Sequence, residues 1–237
     1  MEERLLVPLY VHPAEDPSAW RALVRAAPRL YGVVVNAADG PGEAPDPVLA
    51  EPVAELREAG VRILGYVDTD YGRRPHAAVV EDLQRHRAWY GTDGVYFDQA
   101  CTHPAFLPYQ RRLTVAARAL GCASVVLGHG THPDPAYADG GVADLLVTFE
   151  GDWQAYEAAP VPRWTADHPP ELFCHLVHGV PSGRLRAVPR EARLRGAAVH
   201  YATPGDGDNP WRTLSPALTP ALAGPAALTP TRTETDP

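Results

Sequence analysis

The sequence predicts a (β/α)8 barrel forming a single domain. Eight apolar runs of strand length alternate with helix-like segments, in β-then-α order, between residues 5 and 203. The runs are near-continuous in apolar residues, as expected for a parallel sheet covered on both faces. A doubly wound open sheet is the alternative for such a pattern, but it usually carries a Gly-rich first βα turn. Here that turn reads Val11-His12-Pro13-Ala14.

The first strand is read over Leu5 to His12. Asp16 as N-cap and Pro17 at the first helical position open a helix over Pro17 to Ala27, with Trp20, Leu23 and Val24 at helical spacing. Gly32 to Asn36 is the second strand; a Gly- and Pro-containing loop leads to a helix over Pro47 to Ala59, capped by Asp46 and ended by Gly60. Arg62 to Thr69 is the third strand, followed by a loop through Tyr71 and Arg74 and a helix over Pro75 to Tyr90. The fourth strand, Gly94-Val95-Tyr96-Phe97-Asp98-Gln99, follows a turn and stops on a carboxylate. Pro104 to Leu120 is helical, Ser124 to His129 is the fifth strand, and a short helix lies near Pro135 to Asp139. Leu145 to Glu150 is the sixth strand, with a helix from about Asp152. Leu172 to His178 is the seventh, with a helix near Pro189 to Leu194, and Ala197 to Thr203 is the eighth. The barrel is expected to span residues 1–222, and the Ala-, Pro- and Thr-rich residues 223–237 are expected to be disordered.

Composition removes several chemistries. All 21 basic residues are arginine, so mechanisms that need a lysine amine (Schiff-base aldolases, pyridoxal-phosphate enzymes, the P-loop) are excluded. A formal charge of −8 argues against nucleic acid or an anionic membrane as partner. No apolar run reaches a membrane-spanning length. The first residues show no secretory signal, and Cys101, Cys122 and Cys174 are odd in number and far apart, so reduced thiols in the cytoplasm are expected. No cofactor or metal is expected: His175 and His178 face opposite sides of a strand, and His12 lacks the His-x-His pattern of metal-dependent amidohydrolase barrels.

A barrel of this kind places its site at the C-terminal strand ends, and period-two alternation assigns the inward face. That face is read as Tyr10 and His12; Val34 and Asn36; Leu64, Tyr66 and Asp68; and Gly94, Tyr96 and Asp98 in strands one to four. In strands five to eight it is read as Val125, Leu127 and His129; Leu146, Thr148 and Glu150; Cys174, Leu176 and His178; and Val199, Tyr201 and Thr203. A polar residue closes nearly every strand. Asp98 and Glu150 are the candidate catalytic pair, because two carboxylates across a barrel mouth are the equipment of glycoside hydrolysis. Trp89, Trp153, Trp164 and Trp211 read as packing residues before sugar-stacking faces.

The blocks Tyr10-x-His12-Pro13, Val35-Asn36-x-x-Asp39-Gly40-Pro41-Gly42, Leu64-Gly65-Tyr66-Val67-x-Thr69-x-Tyr71-Gly72-x-Arg74, Trp89-Tyr90, Gly94-Val95-Tyr96-Phe97-Asp98, Val147-x-Phe149-Glu150 and Asn209-Pro210-Trp211 resemble the spherulin 4 (spherulation-specific family 4) proteins and their glycoside hydrolase relatives. The resemblance implies a (β/α)8 barrel and an endo-acting hydrolase of polysaccharides containing galactosamine or N-acetylgalactosamine. It also implies Asp98 as nucleophile or charge stabiliser and Glu150 as general acid/base. His12, Asn36, Asp68, Tyr71, Gln99, His129 and Tyr201 are the candidate substrate contacts, with a carbohydrate as partner. Two features depart from the family pattern: Gln99 stands where relatives carry an acid, and no signal is visible although such relatives act outside the cell. A non-catalytic carbohydrate-binding barrel is therefore the alternative reading. A barrel isomerase or metal-dependent hydrolase on a small intracellular substrate is the third.

Overall fold

In the computed structural model, which describes residues 4–218, the chain forms a closed barrel of eight parallel strands paired in sequence order. The strands are β1 (Arg4–Pro8), β2 (Leu30–Val35), β3 (Ile63–Asp68), β4 (Gly94–Asp98), β5 (Ser124–Gly128), β6 (Leu145–Asp152), β7 (Phe173–His178) and β8 (Val199–Ala202). β1 closes the ring against β8, with Leu5 beside His200. The boundary expected at residue 222 and the tail over 223–237 lie outside the described residues.

Seven α-helices cover the outside among the described residues: α1 (Pro17–Arg25), α2 (Pro47–Glu58), α3 (His76–Tyr90), α4 (Leu107–Ala119), α5 (Ala136–Asp139), α6 (Trp153–Ala158) and α7 (Val188–Leu194). Their starts follow from local chemistry. Asp16 accepts from the N–H groups of Ser18 and Ala19, and Asp46 from Val48 and Leu49, each just before a helix-opening proline. Asp152 accepts from Ala155 N–H and so ends β6 and starts α6. Among the described residues no helix is long and apolar enough to cross a membrane.

The strands are buried on both faces, so apolar runs locate them well but do not tell inside from outside. Register resolves this. Tyr66 lies beside Tyr96, Tyr96 beside Val126, and Val126 beside Leu145. Neighbours in a parallel ladder point the same way, so the inward face of β5 is Ser124, Val126 and Gly128. The alternation expected for β5 is thus one residue out of phase, and Val125 and Leu127 pack on the outer layer with Val67, Val95 and Phe97.

β6 differs in another way. Leu145 and Val147 face inward, and Leu146 faces outward, against expectation. A register shift between Val147 and Phe149 then inserts one residue relative to β7. After it Glu150 pairs with inward-facing Leu176, while Phe149 packs outside on Tyr156. A bulge of this kind re-aims a side chain, and it turns Glu150 into the barrel mouth. β1 stops at Pro8, earlier than expected. Pro8 has no N–H for the ladder, and by Tyr10 the chain has changed partner, donating its N–H to Trp211 O at 3.1 Å.

Candidate active site

The two carboxylates are held by different elements. Asp98 closes β4, and Tyr66 of β3 donates its hydroxyl to Asp98 Oδ2 at 2.8 Å. The backbone amide of Gln99 also favours the ionised form of this carboxylate. Glu150, aimed by the β6 bulge, accepts from Tyr96 Oη at 3.2 Å on Oε2 and from Trp211 Nε1 at 3.1 Å on Oε1. Trp211 lies on a 3-10 turn (Pro210–Arg212) beyond β8. Asn209 fixes that turn by donating its side-chain amide to Tyr10 O at 3.0 Å. The Trp211 ring packs against Tyr201 and edge-on to His178.

Burial pushes the Asp98 carboxyl above its ordinary range, and Asp68 adds to this, while the Tyr66 hydroxyl and the Gln99 backbone amide pull it down. Glu150 is pushed further, to about 7, first by burial and then by the charge of Asp98. Its two donors only partly offset this. The pair therefore ionises in order, Asp98 first, with its charge opposing the loss of the second proton.

A cleft of about 530 Å³ opens at the mouth. Tyr10, Asn36, Asp39, Tyr66, Glu150, His178 and Trp211 contribute to its wall. Asp98 is not among the wall residues; it lies beside Tyr66, and a glycine makes room for it and for Tyr96. A Cβ added to Gly128 would stand 2.6 Å from Tyr96 Oη and 2.9 Å from Asp98 Oδ1, too close for either to stay.

The candidate contacts divide. Asn36 lines the cleft and uses Oδ1 to accept from Gly40 N–H at 2.8 Å, which shapes the β2 loop. Asp68 and Gln99 lie beside Asp98 rather than on the cleft wall. Asp68 pairs with Asp98 in the ladder and accepts from Asp70 N–H at 2.7 Å. Tyr71 sits beyond them with its side chain exposed. Tyr201 faces inward, but it is buried against Trp211 and its hydroxyl accepts from Ser215 N–H at 2.8 Å.

The structure does not bring His12 or His129 to the cleft. His12 lies past the end of β1 and pairs through Nε2 with Asp46 at 2.8 Å. His129 falls on the outward face of β5, bonds Ala100 O through Nδ1 at 3.0 Å and packs edge-on to Tyr137. Burial lowers its pKa to about 4. Among the described residues no group of three or more His, Cys, Asp or Glu side chains is placed to hold a metal ion.

Four non-glycine residues among those described have positive φ: Asp39, Asp70, Tyr71 and Gln99. All four follow β2, β3 or β4 at the mouth. Such backbone is sparsely populated and clusters at functional sites. Gln99 shows what its conformation achieves: its amide favours the ionised form of Asp98, while its carbonyl accepts from Tyr71 N–H at 2.9 Å and Thr69 Oγ1 at 3.0 Å. Position 99 thus serves Asp98 through its backbone.

Sequence reasoning missed Tyr10, Tyr66, Tyr96, His178 and Trp211 as site residues. The first four could have been found from the strand faces, where each already shared a side with a candidate. Trp211 lies on no strand; it reads as a packing residue, and only the Asn209-Pro210-Trp211 block of the family resemblance points to it.

Residues 4–223 match the family profile described as Spherulation-specific family 4. The chain belongs to that family. Spherulin-4 of Physarum polycephalum is 30% identical over 152 residues, a match covering 62% of this chain and 44% of that protein. This spherulation-specific family 4 chain thus spans less than half the length of the curated relative it matches. Its fold is similar to the crystal structure of Aspergillus clavatus Sph3 in complex with GalNAc. The TM-score is 0.76 at 25% identity, covering 92% of this chain and 94% of that one. A Rhizomucor miehei chitinase shares the fold alone, at 12% identity and a TM-score of 0.53, over 90% of this chain and 98% of its own.

Proposed function

We propose that this chain is a glycoside hydrolase cleaving an amino-sugar chain of the galactosamine or N-acetylgalactosamine type. The observation that carries the reading is the unequal pair at the mouth. Asp98 ionises first, and Glu150 is held near pH 7 beside a cleft. Two carboxyl groups pushed apart in pKa are suited to opposite proton roles at one pH.

In this mechanism Asp98 enters as the carboxylate. It attacks the anomeric carbon or stabilises the positive charge developing there. Glu150 enters protonated and gives its proton to the leaving oxygen, so that the departing sugar leaves as an alcohol. The ionised Glu150 then takes a proton from the water that completes hydrolysis. Trp211 and Tyr96 hold Glu150 in place through both steps, and their donors stabilise its charged form between them. The choice of an amino sugar rests on likeness to the Sph3 structure, which is in complex with GalNAc.

Gln99 favours a second reading, a barrel that binds carbohydrate without cleaving it. Its weight is reduced because the interactions of position 99 beside Asp98 run through its backbone, which any side chain there would leave in place. Reducing-end release from a galactosamine-containing polysaccharide, run beside calorimetry with N-acetylgalactosamine oligomers, separates the two. Turnover is the expected result. Binding with no product favours the second reading, and neither binding nor turnover rejects both.

A further inference from the structure

We propose that Tyr10 is the hydrogen-bond donor that holds an oxygen of the sugar bound at Asp98 and Glu150. The proposal rests on the carbohydrate reading above and deepens it. The other hydroxyl and indole donors of the cleft wall are committed to the carboxylates, Tyr66 to Asp98 and Trp211 to Glu150, and Tyr96 behind them is committed to Glu150. Tyr10 lines the cleft, and the hydrogen bonds that hold it among the described residues are made by its backbone, not by its hydroxyl. Glu150 lines the same cleft, and the charges of both Asp98 and Glu150 oppose ionisation of the Tyr10 phenol.

Tyr10 is also well fixed. Its N–H donates to Trp211 O at 3.1 Å, its carbonyl accepts from Asn209 at 3.0 Å, and its ring stands edge-on to Tyr66 with centroids 5.9 Å apart. A phenol fixed in this way is a preorganised donor for a ligand oxygen, with little ordering cost on binding. Burial and the two carboxylates push its pKa well above the ordinary value. It therefore stays protonated and acts as a neutral donor, leaving proton transfer to Glu150. Its acceptor is a hydroxyl, ring or acyl oxygen of the sugar, all of which are neutral acceptors.

The test is Tyr10→Phe, which keeps the ring and removes only the donor. Because the hydrogen bonds that hold Tyr10 are made by its backbone, the melting temperature is expected to stay that of the wild type. On the polysaccharide, kcat/KM is expected to fall roughly tenfold, the scale of one lost neutral hydrogen bond. Both limbs of the pH profile are expected to stay in place, since no donor to either carboxylate has changed. Tyr66→Phe is the control, and its acid limb is expected to move. An unchanged kcat/KM in Tyr10→Phe overturns the proposal. So does a loss accompanied by a shifted limb, which would mean that Tyr10 acts through the carboxylates. A loss accompanied by a lower melting temperature overturns it as well. A wild-type protein that neither binds nor cleaves the carbohydrate overturns the functional reading itself, and the Tyr10 assignment with it.

Discussion

Trp211 donates its indole N–H to Glu150 Oε1 at 3.1 Å, across 61 positions of sequence. The bond ties the turn after the last strand to the carboxyl at the end of β6. It also favours the charged form of Glu150, against burial and Asp98, which push the proton affinity up. Trp211→Phe keeps a ring beside His178 and Tyr201 but removes the donor. The alkaline limb of kcat/KM is expected to move to higher pH, with activity at pH 6 reduced about tenfold through looser placement of Glu150. An unmoved limb in a pH–rate series would contradict the role given to Trp211.

Tyr66 acts on the other carboxyl. Its hydroxyl bond lowers the proton affinity of Asp98. In Tyr66→Phe that support is gone, so Asp98 ionises at higher pH. The acid limb should shift upward while the alkaline limb holds, as read from initial rates across pH 3 to 8.

Gly128 carries a steric prediction. In Gly128→Ala the new methyl has to displace Tyr96 or Asp98, since approach distances of 2.6 and 2.9 Å are below contact. Overpacking of this sort costs about 1–3 kcal/mol of stability. Because the displaced groups are a carboxylate and the donor to Glu150, activity is expected to drop about a hundredfold or more in protein that still melts cooperatively. Denaturant unfolding and the hydrolysis assay check the two parts separately.

Glu150 carries a cost in stability. Its folded pKa of about 7 lies above the ordinary value of 4.5, so the folded state binds the proton more tightly than the unfolded chain. That contribution is fully present below about pH 4.5 and is lost as pH rises through about 7. Glu150→Gln is neutral at every pH, and its amide keeps an acceptor for Trp211 and a donor for the Tyr96 oxygen. It should unfold later than wild type at pH 8, by on the order of 2 kcal/mol, and the difference should close by pH 4. Equal unfolding midpoints at pH 8 would contradict the buried, destabilised state of this carboxyl.

Much of the fold is legible in the sequence because the physics is local. Strand-length apolar runs, Asp-Pro helix starts and glycine stops place every strand and most helices. The faces are less legible, because both sides of a covered parallel strand are apolar. Val125 and Leu127 look as inward-facing as Val126, and choosing them sends His129 to a site it does not reach. Counting from Leu146 assigns Glu150 inward, yet Leu146 faces outward; the bulge after Val147 is what restores Glu150 to the mouth. Asp98 needs no such correction, since β4 alternates regularly from Gly94. Trp211 and its bond to Glu150 depend on how a turn beyond β8 folds back over the mouth, and no spacing in the sequence encodes that.

In the proposed mechanism Asp98 and Glu150 together hydrolyse an amino-sugar chain. The direct measurement is reducing-end release from a galactosamine-containing polysaccharide by wild type, Asp98→Asn and Glu150→Gln, each shown to be folded by its thermal transition. Each variant is expected to lose on the order of 10²–10⁴ in kcat. Wild-type turnover by either one would contradict the account.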